Sequence, residues 1–318
     1  MTKQNLLRLN IQHFAQTIER DNVTGYEAKD GCIRDKQRQL ILQDVMQNSR
    51  IMQLGVYEEM NSKEKKFEYF AQGPGAYWVN ETEKIQTSKP TMLQVTMTAK
   101  KLGVILPVSR EYLHYKLADF FEQMQPKIAE AFYKKFDEAG ILGVNNPFAQ
   151  SIQKSVTDEG NIVTGDITFD NILAVEDKLY DNDVEPNAWV SKTQNHTALR
   201  NAQKIENGVA QSLYDRANGT IDGITTVNLK SGNMPKGTLF AGNFDHLRYG
   251  IPYNINYQIS EDAQLSTITN EDGSPVNLFE QEMVALRATM DVGLMIIKDS
   301  SFAKLQPTAT TTTTTTTA

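Results

Sequence analysis

A single cysteine, Cys32, stands in 318 residues. One thiol excludes an internal disulfide and suits a reducing compartment. Flanked by Gly31 and Ile33, it reads as a bystander. No run of eighteen apolar residues occurs, so the sequence offers no membrane-spanning helix. The first residues carry only Leu6, Leu7, Leu9 and Ile11 as aliphatics, broken by Arg8 and Asn10. That stretch is too short and polar for a secretory signal. Without secretion, the glycosylation-type triplets at Asn80 and Asn195 carry no weight. Cations are in deficit, with 32 Lys and Arg against 39 Asp and Glu and a net charge of −7. This argues against a general nucleic-acid binder, although an acidic protein can surround DNA without adhering to it.

Chemistry is also missing. The four histidines, His13, His114, His196 and His246, stand alone, and none belongs to a zinc-type pattern. There is no GxSxG nucleophile motif. Gly73-Pro74-Gly75 lacks the Lys-Ser/Thr and helix of a phosphate loop. No enzyme, metal or cofactor is expected.

What is present is long and amphipathic. Lys101 to Pro107 reads as an apolar strand feeding a helix. Ser109 is a candidate N-cap. Leu113, Leu117, Phe120, Phe121, Met124, Ile128, Phe132, Phe136 and Ala139 recur every three or four residues as one stripe. Gly140 is the expected stop, and Pro126 is expected to bend the helix. About thirty helical residues span roughly 45 Å. Near the C-terminus, Val284, Leu286, Ala288, Met290, Val292, Leu294 and Ile296 alternate with Arg287, Thr289, Asp291 and Gly293. That phase predicts a strand with one buried and one wet face. A long helix on a long, thin sheet is the simplest way to bury both stripes.

Lys63 to Phe70 and Thr91 to Ala99 read as two arms of a hairpin. Phe67 and Tyr69 share one face of the first arm. Leu93, Val95, Met97 and Ala99 share one face of the second. The irregular tip carries Tyr77 and Trp78. A lone two-stranded hairpin is marginal in water, so a partner subunit is the expected cover. Exposed tip aromatics favour burial in an interface, with packing inside the loop as the plainer reading. Lys63, Lys65 and Lys66 read either as a solubilising strand edge or as partners of an acidic neighbour.

Elsewhere, Lys36 to Met46 reads as a short helix and Ile51 to Val56 as a strand. A helix is expected over Asp170 to Asp181, capped by Asp170, and another over Lys192 to Gln203. Strands are expected over Ala188 to Ser191, Gly219 to Leu229 and Thr238 to Asn243. Asp272-Gly273 signals a hairpin turn. The eight threonines Thr310–Thr317 cannot build a core.

Five segments carry a family resemblance: GAYWV (Gly75–Val79), KLGVILPVSREYL (Lys101–Leu113), IAEAFYKKFDEAGIL (Ile128–Leu142), VNLFEQEMVALRATM (Val276–Met290) and FAKL (Phe302–Leu305). Through them the chain resembles major capsid proteins of tailed bacteriophages with the Hong Kong 97-type fold, especially those of siphophages infecting Gram-positive hosts. The resemblance implies an α+β architecture with these parts: a cleavable leader (1–15), an N-terminal arm with a short helix (16–59) and an extended loop (60–100). A peripheral domain (101–154 and 256–305) carries the long spine helix, and an axial domain (155–255) is inserted into it. A disordered Thr-rich tail (306–318) follows.

The implied function is self-assembly into pentamers and hexamers of an icosahedral shell around double-stranded DNA, without sequence-specific binding. Scaffolding and portal proteins are implied partners, with assembly in the host bacterial cytoplasm, expansion on maturation and residence in the virion. Leu7 to Ala15 is similar to the recognition sequence of a host-type cysteine protease. It matches at Leu9, Asn10, Gln12, Phe14 and Ala15, departs at His13, and implies a cut between Ala15 and Gln16. An ordinary frayed terminus is the plainer reading. The extended loop is expected to reach a neighbouring subunit through Lys63, Lys65, Lys66, Phe67, Tyr69, Tyr77, Trp78, Leu93, Val95 and Met97. Other readings are an encapsulin-like nanocompartment, a monomeric surface module and, most remotely, a hydrolase.

Overall fold

Ser49 makes a contact that no local pattern announces. A computed structural model describes residues 43–308, apart from 73–74, 80, 82–83, 85–86, 89–90, 207–208, 254 and 270–273. After a helical stretch at 43–48, Ser49 caps helix α1 (Arg50–Leu54) by accepting from the Met52 amide. The Asp137 carboxylate accepts from the Arg50 and Ile51 amides, at 2.8 and 3.2 Å, and from the Ser49 hydroxyl at 2.6 Å. These are amides that a helix start leaves without intrahelical partners. The expected strand at Ile51 to Val56 is therefore a helix, with only Val56–Tyr57 extended as β1. A side chain more than eighty positions away supplies what the local β-like pattern could not foretell.

The described residues divide into two compact units. The first gathers 43–46, 101–132 and 253–291, and the second 47–100, 133–252 and 292–308. Three elements run from one into the other: β3 (Thr91–Ser109), α2 (Arg110–Asp137) and β16 (Met283–Ile296). The expected hairpin arm Thr91 to Ala99 and strand Lys101 to Pro107 both lie in β3. No breaker separates the two at Lys100-Lys101, and they form one strand of 19 residues. Its inward side changes phase at the unit boundary, from Val95, Met97 and Ala99 to Leu102, Val104 and Leu106.

In the first unit, β13 (Asn256–Ser260) pairs antiparallel with the start of β16, Tyr257 opposite Ala288. A hairpin of β14 (Gln264–Thr269) and β15 (Pro275–Asn277) closes a small core of Leu265, Val276, Leu278 and Ala285. The Asp272-Gly273 turn lies outside the described residues.

The two larger sheets lie wholly or mostly in the second unit. In one, β1 runs parallel to β12 (Leu247–Gly250), which pairs antiparallel with the end of β16. β3 and β2 (Glu64–Gln72) complete it in the order β1-β12-β16-β3-β2. The other has seven strands in the order β4-β17-β11-β5-β10-β9-β8. These are β4 (Ile162–Thr164), β5 (Ala188–Ser191), β8 (Tyr214–Asp215), β9 (Thr220–Ile221), β10 (Ile224–Asn228), β11 (Leu239–Gly242) and β17 (Phe302–Gln306). Its central strand β5 is buried at every position. After α3 (Ile152–Glu159) comes α4 (Phe169–Tyr180), which lays Ile172, Val175 and Leu179 into a core with Trp189, Leu239, Ala241, Ala303 and Leu305. Each buried Ile, Val or Leu among them contributes roughly 1.5–3 kcal/mol of burial.

Several local expectations change. Thr168, not Asp170, caps α4, because its hydroxyl accepts from the Asn171 amide. The helix expected over Lys192 to Gln203 contracts to a turn at Thr193–Asn195 and α5 (His196–Asn201). Gln203–Glu206 then turns extended as β6, paired with β7 (Val209–Ser212). Strand β17, assigned to the peripheral part, pairs with β11 and β4. Gly140 does not stop the long helix. The backbone passes through a π-helical turn at Glu138–Leu142 and ends at Gly143, whose φ of 69° is left-handed. Gly140 is instead a packing residue: a Cβ there would collide with Ile51 Cδ1 and stand 3.1 Å from Leu294 Cδ2. The stripe residues Ile128, Phe132, Phe136 and Ala139 are buried as expected. In β16 the wet face is confined to the middle, around Arg287, Thr289 and Asp291. Ala285, Gly293 and Met295 are buried as well, because other strands and side chains cover its ends.

Candidate assembly surface

The β2–β3 hairpin places Glu64 opposite Thr98, Lys65 opposite Met97, Phe67 opposite Val95 and Tyr69 opposite Leu93. The register slips between Phe70 and Gln72, where a bulge adds local twist. The base of the hairpin belongs to the chain's own core. Met97 is fully buried with Met60, Ala99 and Met295, and Phe67 and Val95 pack against them. This corrects the expectation for Met97: a side chain already enclosed by its own chain has no surface left for a neighbour. Phe67 and Val95 are partly enclosed by the same cluster.

Charge fastens the base as well. Glu58 pairs with Lys65 Nζ at 3.1 Å and with the Arg248 guanidinium. Lys65 also donates to the Glu59 carbonyl at 2.7 Å and sits 4.9 Å from the centre of the Phe67 ring. Its cation is held inside the chain, while Lys63 and Lys66 are exposed. Local sequence reading missed Glu58 and Arg248, which are 190 positions apart. Their only local signal is the adjacent acids Glu58-Glu59, which read as solvated charge.

The tip behaves differently. Tyr77, Trp78 and Val79 are 50%, 104% and 38% exposed. The Gly75 amide donates to Ser88 Oγ at 2.8 Å, and the Tyr77 hydroxyl stands 3.0 Å from where a Gly75 Cβ would be. Trp78 receives no such cover. An indole wholly in water forfeits the burial that large aromatics supply at interfaces. Other large apolar groups are exposed without having been singled out: Phe279 and Tyr253 in the first unit, and Ile205 in the β6–β7 hairpin of the second. Isolated apolar letters in polar surroundings, such as Ile205 in QKIE, were the available hint.

The leader residues Leu9, Asn10, Gln12, Phe14, Ala15 and Gln16 lie outside the described residues, as does the threonine run. Pro126 sits inside α2 and is exposed. Among the described residues, no group of three or more His, Cys, Asp or Glu could hold a metal ion, and no helix is long and apolar enough to cross a membrane.

Known proteins share this sequence and architecture. The phage capsid family matches residues 31–306. The major capsid protein of Staphylococcus phage 80alpha is 53% identical over 314 residues, which is 96% of each chain. Among solved structures, a chain of Microbacterium phage Oxtober96 superposes with a TM-score of 0.67 at 22% identity, covering 82% of this chain and 91% of that one. The capsid of a native GTA particle, computed with C5 symmetry, gives a TM-score of 0.62 at 14% identity, covering 88% and 92%. Continuous coverage at this level, on a fold whose hairpin ends in uncovered aromatics, leads to one conclusion. The chain belongs to the phage capsid family: it is a self-associating structural protein of a phage shell, with the Hong Kong 97-type α+β fold.

Proposed function

We propose that this chain assembles into pentamers and hexamers of an icosahedral shell enclosing double-stranded DNA, with the β2–β3 hairpin tip seated on a neighbouring subunit. The single observation that carries the reading is Trp78, fully exposed at the end of a hairpin whose base is anchored. A second copy of the chain is the natural cover, because closed shells are built from repeated contacts of one subunit. Each contact need be only modest, since multivalency multiplies many of them. The exposed Lys63 and Lys66 flank the same ribbon and suit an acidic partner surface.

Maturation completes the proposal. A scaffolding protein and a portal guide a rounded precursor, a host-type cysteine protease cuts between Ala15 and Gln16, and the shell then expands. Pro126 is where α2 bends during that change, since proline removes one helical hydrogen bond. Electron microscopy of particles made with the phage's other head proteins tests the assembly. Pentamers and hexamers around DNA are expected; an enzyme cargo in place of DNA would favour a nanocompartment. Sequencing the N-terminus of purified particles tests the cut. Gln16 as first residue is expected, and an intact Met1 or Thr2 in mature particles would refute it.

A further inference from the structure

Two crossings between the larger sheets run side by side. The first leaves β11 after Gly242, makes a short turn at Phe244–His246 and enters β12 at Leu247. The second leaves β16 after Ile296, turns at Asp299–Ser301 and enters β17 at Phe302. Where the β11–β17 ladder ends, the Asn243 amide donates to the Ser301 carbonyl at 3.0 Å. Where the β12–β16 ladder begins, the Ile297 amide donates to the His246 carbonyl at 2.9 Å. Between these two backbone bonds the crossings are joined through side chains. His246 Nδ1 lies 2.7 Å from Ser301 Oγ. Ser301 is 0% exposed, and His246 is half-buried. The Phe244 and Phe302 rings, from the same two crossings, meet edge-on at 5.4 Å.

In a neutral imidazole one nitrogen donates and the other accepts. Only with the proton on Nε2 does the buried Ser301 hydroxyl keep Nδ1 as its acceptor. An N–H at Nδ1 would take the Ser301 oxygen and strand the hydroxyl proton. We propose that the Ser301 hydroxyl donates to His246 Nδ1, and that this bond is a pH-sensitive clasp between the two crossings, closed while the imidazole is neutral and open once it is protonated. The imidazolium donates at both nitrogens, so it cannot accept from Ser301. The charged and titratable groups around it are Asp245 on the first crossing, Lys298 and Asp299 on the second, and Tyr57 on β1, which packs on the same turn. Asp299 accepts from Ser155 of α3 at 2.6 Å, and Lys298 Nζ donates to the Asn182 carbonyl at 3.0 Å. Glu58, just after β1, is taken up by Lys65 and Arg248. Burial, and then the Lys298 charge, hold His246 below the usual 6.5, against the pull of Asp245. A histidine lowered in the folded state gives its full stabilisation above its unfolded value, near 6.5, and loses it as pH falls through the lower folded value. The clasp is thus closed at neutral pH and opens in acid.

Hydrogen exchange on the full chain at about pH 7.5 and 5, corrected for intrinsic exchange, tests this. The Asn243 and Ile297 amides are expected to lose about tenfold of their protection at the lower pH, the usual weight of one hydrogen bond, while the β5–β10 ladder keeps its own. A local readout separates the clasp from Asp137, which burial shifts in the opposite direction. Ser301→Ala removes the donor, so protection of the two amides is expected to be low at both pH values. His246→Asn supplies an acceptor that does not titrate, so there it is expected to be equal at both. Nitrogen NMR of the histidine side chains adds a second measurement, with His246 expected to carry its neutral-state proton on Nε2. Equal wild-type protection at both pH values would overturn the clasp, as would a full pH response in Ser301→Ala or a neutral His246 protonated on Nδ1. If Ser301→Ala does not fold, the wild-type exchange and the tautomer decide.

Discussion

Asp137 is a carboxylate used as a helix cap from outside the helix. Burial raises it from 3.8 to about 6, against the opposing pull of its bonds to Ser49, Arg50 and Ile51. Its stabilisation is therefore full below about pH 4 and lost as pH rises through about 6. Asp137→Asn removes that titration and places an N–H donor against backbone N–H groups. Denaturant unfolding is expected to show a loss of about 1–3 kcal/mol at pH 7, with a flatter profile than wild type between pH 4 and 6. At Glu58 the stake is a partner left behind. Arg248 Nε is buried without a hydrogen bond, so Glu58→Gln leaves a partly buried guanidinium uncompensated. A loss of about 1–3 kcal/mol is expected. Glycines add a steric pair. A Cβ on Gly242 would meet the Ser301 carbonyl at 2.6 Å, whereas the nearest obstacle at Gly140 is the end of the flexible Ile51 side chain. Gly242→Ala is expected to lower stability by about 2–3 kcal/mol and Gly140→Ala by about 1 kcal/mol, in chemical unfolding of both variants.

Among the elements, periodicity was readable wherever one physical surface governs a long run. The stripe from Met124 to Ala139, the alternation of β16 and the two hairpin arms are patterns of the chain against one apolar face. Reading failed where a distant group decides. Residues 51–54 look like strand until Asp137 caps the helix they form. The helix expected through Gln203 ends at Asn201, because Gln203 starts a strand that β7 pairs with. Met97 looks like an interface residue until Met60 and Met295 enclose it. The candidate surface was legible at its tip, since aromatics on an irregular loop have nothing local to bury them. Its anchor at Glu58 and Arg248 was not, because ion pairs across 190 positions leave no local trace. Pro126 belongs to this scale too. On the maturation proposed above, Pro126→Ala restores a helical donor and is expected to slow expansion; unchanged kinetics in time-resolved microscopy would remove proline from that mechanism.

For the whole molecule, the family and fold place the chain in a virion shell. The structural question becomes which surface neighbours share. On the reading proposed above it is the hairpin tip, whose base is anchored by core and charge while Trp78 at its end is fully exposed. Truncating Trp78 should leave the folded subunit alone and damage only its association, by about 2 kcal/mol or more per contact if the indole is an anchor. Trp78→Ala, produced alongside the other head proteins and followed by sedimentation with thermal unfolding of the subunit, measures both at once. Expected is an unchanged unfolding temperature, few or no shells, and material sedimenting as free subunits or small oligomers. Wild-type yields of closed, stable shells from Trp78→Ala would contradict the assignment of the tip to a neighbouring subunit.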